Sequence, residues 1–275
     1  MKTSLYIVFS FIVAFVAQAQ PDAHELVIAT ISKARAVQSA AYTIANTERI
    51  HGKLLSGTQQ IRYNREPLQV QMTFVHPSPG TKVSYDALSK PGKLVYDPVG
   101  FPFMKLELDP FGSTARNANH HTIYEIGFEH IASLIESVYD HHKTVTLFPI
   151  DDGSPTYTVS ITSRYRGFKD YKVGPEETTR SLAQKLNVCE YKIVELNEDV
   201  EDYGHLKEGI LVAIPDNYAH DLILEIDKST LLPAKIRLSD ELGLLASYTI
   251  SEIELGIKVE PFREKKRAKF FSDDQ

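Results

Sequence analysis

The stretch Leu68-Gln69-Val70-Gln71-Met72-Thr73-Phe74 places an apolar side chain at every second position and a polar one between. Successive side chains of a strand point to opposite faces, so this run reads as a strand with one buried and one wet face, the mark of an antiparallel sheet. The alternation recurs along the chain. Met104, Leu106 and Leu108 alternate with Lys105 and Glu107, and Tyr157, Val159 and Ile161 with Thr158 and Ser160. Leu222, Leu224 and Ile226 repeat it, then Ala234, Ile236 and Leu238, and Tyr248 and Ile250 open a last run that continues to Val259. Pro/Gly clusters such as Pro77-Ser78-Pro79-Gly80, Pro91-Gly92 and Pro110-Phe111-Gly112 punctuate the strands.

Two segments change period. Asp22 to Ser39 predicts a helix with Val27, Ile31 and Ala34 on one face and Asp22 as its cap; Phe128, Ile131, Leu134, Ile135 and Val138 predict a second. The strand patterns stop near Ser163 and resume near Leu222, and what lies between, residues 170–215, reads as strand, helix, helix, strand. Tyr171-Lys172-Val173 is its first strand, Leu182, Ala183 and Leu186 stripe one helix, Ile193, Val194 and Leu196 the next, and Leu211 to Ile214 closes it before Pro215. Asn187 stands where a left-handed helix end belongs, and Asn197 ends the second helix. We read this as an insertion into a host domain of residues 20–169 and 216–275, one that a short Gly/Ser linker could replace, because long insertions cost little loop entropy.

Residues 1–19 have the form of a secretory signal: Lys2, the apolar run Leu5 to Val16, and Ala17-Gln18-Ala19 before a new terminus at Gln20. The expectation is an exported, periplasmic or secreted protein with no transmembrane segment in the mature chain. The single cysteine, Cys189, is far from any lipobox position and permits no internal disulfide. A net charge of −6 argues against a nucleic-acid partner, since phosphate neutralisation needs a basic surface.

The segment from Tyr171 to Pro215 resembles the LysM family, through Tyr171, Val173, Thr178, Leu182-Ala183, Val188, Ile193, Leu196-Asn197, Gly209 and Val212-Ala213-Ile214-Pro215. The resemblance implies a βααβ module that binds N-acetylglucosamine glycans of the peptidoglycan type. Its groove walls would be Gly174, Pro175, Glu176, Glu177 and Thr178 on one side and Asn197, Glu198, Asp199 and on to Asp202 on the other. Glu176 replaces the family's usual glycine, and ten acids face five bases over residues 170–215, an unusual balance for an anionic wall polymer.

The host segments resemble an exported bacterial family of unknown function related in fold to the lipoprotein carriers LolA and LolB. The carrying residues are Glu48-Arg49-Ile50, Arg65-Glu66-Pro67-Leu68, Pro79-Gly80, Leu108-Asp109-Pro110-Phe111-Gly112 and the Ile226-Asp227-Lys228 turn leading to Leu232-Pro233. The resemblance implies an α+β fold: a curved antiparallel half-barrel sheet covered by helices, with the βααβ module inserted. Leu68, Val70, Met72, Phe74, Leu106 and Leu108 would face acyl chains, or pack as core.

The sequence offers no catalytic constellation and no cofactor motif. His120-His121 and His141-His142 are adjacent pairs whose rings diverge, so no metal ligands are read. Arg116, His120 and His121 lie beside a Gly-Ser loop and read as solvated, or as facing an anion. The leading expectation is a non-enzymatic binder of peptidoglycan or a related glycan; the second is a lipid or lipoprotein carrier with a structural insert.

Overall fold

The computed structural model describes residues 20–116, 119–140, 143–151, 153–200 and 203–259. The signal segment, His141-His142 and the basic tail beyond Val259 lie outside them. Helix α1 (Ala23–Ala36) leads into strands β1 (Ser39–Ile50), β2 (Lys53–Asn64), β3 (Gln69–His76), β4 (Lys82–Asp86), β5 (Leu94–Asp97) and β6 (Leu106–Leu108). A single turn α2 (Ser113–Arg116), a 3-10 turn (Ile123–Glu125) and α3 (Phe128–Tyr139) follow, then β7 (Lys143–Leu147) and β8 (Thr156–Ser163). Next come β9 (Phe168–Lys172), α4 (Thr179–Leu186), α5 (Glu190–Leu196) and β10 (Leu211–Pro215), before β11 (Asp221–Asp227), β12 (Pro233–Asp240) and β13 (Gly243–Leu255).

Eleven strands form one open, curved antiparallel sheet in the order β6-β5-β4-β3-β2-β1-β13-β12-β11-β8-β7. Ile44 of β1 lies opposite Ile250 of β13, and Leu222 and Leu224 of β11 lie opposite Ile161 and Val159 of β8. Strands before and after β9–β10 thus complete a single sheet. Its buried face carries the alternating residues: Tyr63, Val70, Tyr85 and Leu94 stand in one cross-strand row. The expected strand at Met104 begins later, because Phe103 takes a left-handed backbone (φ 57°) that breaks the extended run, and Met104 is exposed.

Helices α1 and α3 cover that face. Asp22 accepts the Glu25 N–H and caps α1, whose Leu26, Val27, Ile31 and Ala34 are buried. Phe128, Ile131, Leu134, Ile135 and Val138 of α3 enter the same core. Each such side chain contributes about 1.5–3 kcal/mol on full burial. Arg35 of α1 pairs with Glu136 and Glu129 of α3 and fixes the two helices side by side.

The segment 168–215 forms a two-stranded sheet, β9 with β10, under α4 and α5. Thr178 caps α4 in a capping box with Ser181, Asn187 ends it in the left-handed conformation (φ 54°, ψ 49°), and Asn197 caps α5. Val173, Leu182, Ile193, Val212 and Ile214 make its own small core. At the start of α5, however, Cys189 and Tyr191 join the main core, so the segment packs in both directions. Among the described residues no helix is long and apolar enough to cross a membrane.

Candidate functional site

The segment after β6 runs inward. Arg116 donates to Glu190 of α5 (2.8 Å) and to the His120 carbonyl (2.9 Å), and its guanidinium lies 3.5 Å from the Tyr203 ring centre. Glu48 of β1 accepts the His120 N–H (3.0 Å) and the Tyr248 hydroxyl (2.6 Å). The His120 ring meets the Arg49 carbonyl (2.8 Å) and stacks on Tyr191, with centroids 4.4 Å apart. The expectation of solvated side chains at Arg116 and His120 is therefore corrected: they are 2% and 3% exposed, because Glu48 and Glu190, distant in sequence, supply the partners that burial requires. Burial opposes ionisation of Glu48, yet the neighbouring histidine charges and the Tyr248 hydroxyl hold its carboxyl below the usual range.

With His120 anchored, His121 points the other way. Thr122 and Glu125 close a capping box around the 3-10 turn, the Thr122 N–H donating to Glu125 Oε2 at 2.8 Å. Gly127 then adopts φ 111° against Tyr63, where an added Cβ would meet the ring at 2.7 Å. That turn starts α3 and sets His130 one residue past its first turn's acid, Glu129. The result brings His121, Glu125 and His130 together, with candidate ligand atoms all within 4.8 Å of one another. His121 Nδ1 lies 3.6 Å from Glu125 Oε2, its Nε2 3.5 Å from the Tyr218 hydroxyl, and its ring 4.4 Å from that of His130. The sequence reading named no metal ligands, and the fold gathers three groups of ligating type here. Adjacent histidines indeed diverge, but His121 finds its partners four and nine residues later, across a turn whose geometry no periodicity reports.

Burial disfavours charge on His121, but the attraction of the Glu125 carboxylate 3.6 Å away wins and raises its pKa. Burial likewise disfavours an ionised Glu125, and the same partner outweighs it, so the carboxyl stays ionised far into acid. For His130, burial and then the charge of His121 act together and push the pKa down to about 3.

These residues line a cavity of about 640 Å³ between the β2–β3 connection, α3 and α4. Leu68, Ile126, Leu134, Ala183 and Val188 give it apolar wall; Arg65, Glu129 and Arg180 give it charge. Arg180 reaches Glu125 (3.5 Å) and lies over the Phe111 ring, and Arg65 pairs with Glu129 (3.1 Å).

Of the six side chains expected to face acyl chains, Leu68 lines this cavity. Val70 is fully buried, Leu68, Met72 and Leu108 pack against the core, and Phe74 and Leu106 are half-buried. The expected glycan walls lie elsewhere on the segment. Glu177 accepts from the Gly174 N–H, Tyr171 and Lys185, and Glu176 takes the left-handed backbone (φ 57°) that glycine would occupy without strain. Pro175 sits in the same turn, whose far end pairs with residues 204–206. Glu198 and Asp199 are exposed; Glu201 and Asp202 lie outside the described residues.

Asn197 donates to the Ile193 and Ala213 carbonyls (2.7 and 2.9 Å) and accepts the Ala213 N–H (2.8 Å), stitching α5 to β10. Asn197→Ala is expected to cost about 1–3 kcal/mol, because it strands backbone groups at the helix end. Urea unfolding would measure it, and an unchanged midpoint would show that the stitch is dispensable.

Residues 37–151 match a family described as a protein of unknown function, DUF1571. No curated protein matches the sequence. Among solved structures, the chain is similar to lipoprotein LppX of Mycobacterium tuberculosis (10% identity, 87% of this chain and 100% of that one, TM-score 0.41). It is also similar to the MucA/MucB complex structure of Pseudomonas aeruginosa (13%, 87% and 59%, 0.38) and to a LolA superfamily protein of Nitrosomonas europaea (10%, 88% and 96%, 0.32).

Proposed function

We propose that this chain is a non-catalytic carrier that holds an amphipathic, lipid-like molecule in the cavity between α3 and α4. The observation that carries the reading is the cavity itself. Its volume of about 640 Å³ is that of a small-molecule site, and it joins apolar wall at Leu68, Ile126, Leu134 and Val188 to charged groups at Arg65, Arg180 and Glu129. An acyl or similar apolar chain would lie along the first set while a polar head meets the second. Placing the ligand here, rather than against Val70 and Met72, leaves the packed sheet face undisturbed. The glycan reading is less well supported, because Asn197 and Glu177 are engaged within their own segment.

Ser133 and Gln184 are exposed residues on opposite walls of the cavity. Ser133→Trp or Gln184→Trp would fill it without entering the core, and would add a fluorophore to a chain that has no tryptophan. The expected outcome is uptake of a fluorescent fatty acid by the native chain and a loss of about tenfold or more, roughly 1.4 kcal/mol, in each variant. Equal uptake by all three proteins, or none by the native chain, would reject the carrier reading.

A further inference from the structure

We infer that His121, Glu125 and His130 form a binding site for one divalent transition-metal ion of the zinc class, with an open coordination position facing the cavity. The inference rests on the cluster alone and stands whether or not the cavity carries an amphipath.

Two borderline imidazole nitrogens with one carboxylate oxygen suit such ions better than calcium or magnesium, which take all-oxygen sets. Zinc–ligand bonds of about 2.0–2.2 Å at a tetrahedral angle put neighbouring donor atoms roughly 3.4 Å apart. His121 Nδ1 and Glu125 Oε2 stand 3.6 Å apart, so that pair is already set. The full set lies within 4.8 Å, so closing to that spacing takes at most about 1.4 Å, within the reach of side-chain torsions. Its Nε2 is buried and has no hydrogen-bond partner, a cost that a metal ion would remove.

The surroundings hold the donors in place as outer partners of metal ligands do. The Thr122 N–H fixes Glu125 Oε2, Arg180 neutralises Glu125 Oε1 at 3.5 Å, and the Tyr218 hydroxyl faces the second nitrogen of His121 at 3.5 Å. Three protein ligands leave the fourth position to water or to an anionic group entering from the cavity, which all three residues line.

The test uses the full chain without an affinity tag, stripped with a chelator. Native mass spectrometry and calorimetry would follow Zn²⁺, and visible absorption would report tetrahedral Co²⁺. Glu125→Gln keeps an acceptor for the Thr122 N–H, and His130 is half-buried on α3, so His130→Gln also spares the core; circular dichroism would verify both folds. The expected result is one ion per chain, with affinity at least about 100-fold weaker in each variant, since outer-partner changes alone cost up to that much. No retained ion in the folded native chain, or retention undiminished in either variant, would overturn the assignment.

Discussion

Excising residues 170–215 in favour of a short Gly/Ser linker is expected to abolish cooperative folding of the rest of the chain. The strand patterns of the sequence suggest the opposite, because they resume intact beyond Leu222. The tertiary contacts argue the other way. Arg49 pairs with Glu195, Arg116 with Glu190, and Lys192 with Asp240, at side-chain exposures of 12% or less. Tyr191 stacks on His120 and accepts the His51 N–H (2.7 Å), and Cys189 is buried in the main core with its thiol pushed up to about 11 by burial. Excision would leave Arg116 without its buried carboxylate and deprive Arg49 of one of its two. Breaking one buried pair costs about 3–5 kcal/mol, so two approach the whole stability of an ordinary domain, about 5–15 kcal/mol. Near-UV circular dichroism and urea titration of the excised protein would check this. A sharp transition like that of the parent would show the segment to be separable.

Arg49→Ala is expected to destabilise the intact chain by about 3–5 kcal/mol at neutral pH. The guanidinium holds Glu195 and Asp240 at 2.8 and 2.6 Å and donates to the Leu244 carbonyl at 3.1 Å. It thereby ties β1, the last turn of α5 and the β12–β13 connection at one buried point, and its loss strands carboxylates where water does not reach. Burial alone would raise the Asp240 pKa; Arg49, joined by Lys192, lowers it instead. A carboxyl with a depressed folded pKa gives stability that is present above its unfolded value of about 3.9 and lost as pH falls through the folded one. In the variant, protonation relieves the stranded acid. The gap between parent and variant should therefore be full at pH 7 and narrow as pH falls below about 4. Urea midpoints at several pH values would measure it, and a gap independent of pH would mean the loss is one of packing rather than charge.

Local features were legible in the sequence because they depend on neighbours along the chain. Alternation at Leu222, Leu224 and Ile226 marked the buried face of β11, and all three are fully buried. Helical spacing marked α1 and α3, and Asn187 and Asn197 marked the ends of α4 and α5 through the conformations and caps that asparagine supports. Periodicity says which side of an element is buried, and never against what. It was therefore silent on the pairing of β1 with β13, on the burial of Arg116 and His120, and on the gathering of His121, Glu125 and His130 beside Arg180. The burial of Arg116 and His120 depends on bonds to Glu190 and Glu48, 74 and 72 positions away, and the histidine cluster on a turn that periodicity does not report. Each partner alone reads as an ordinary surface charge, and only the fold removes the water that would have made it one.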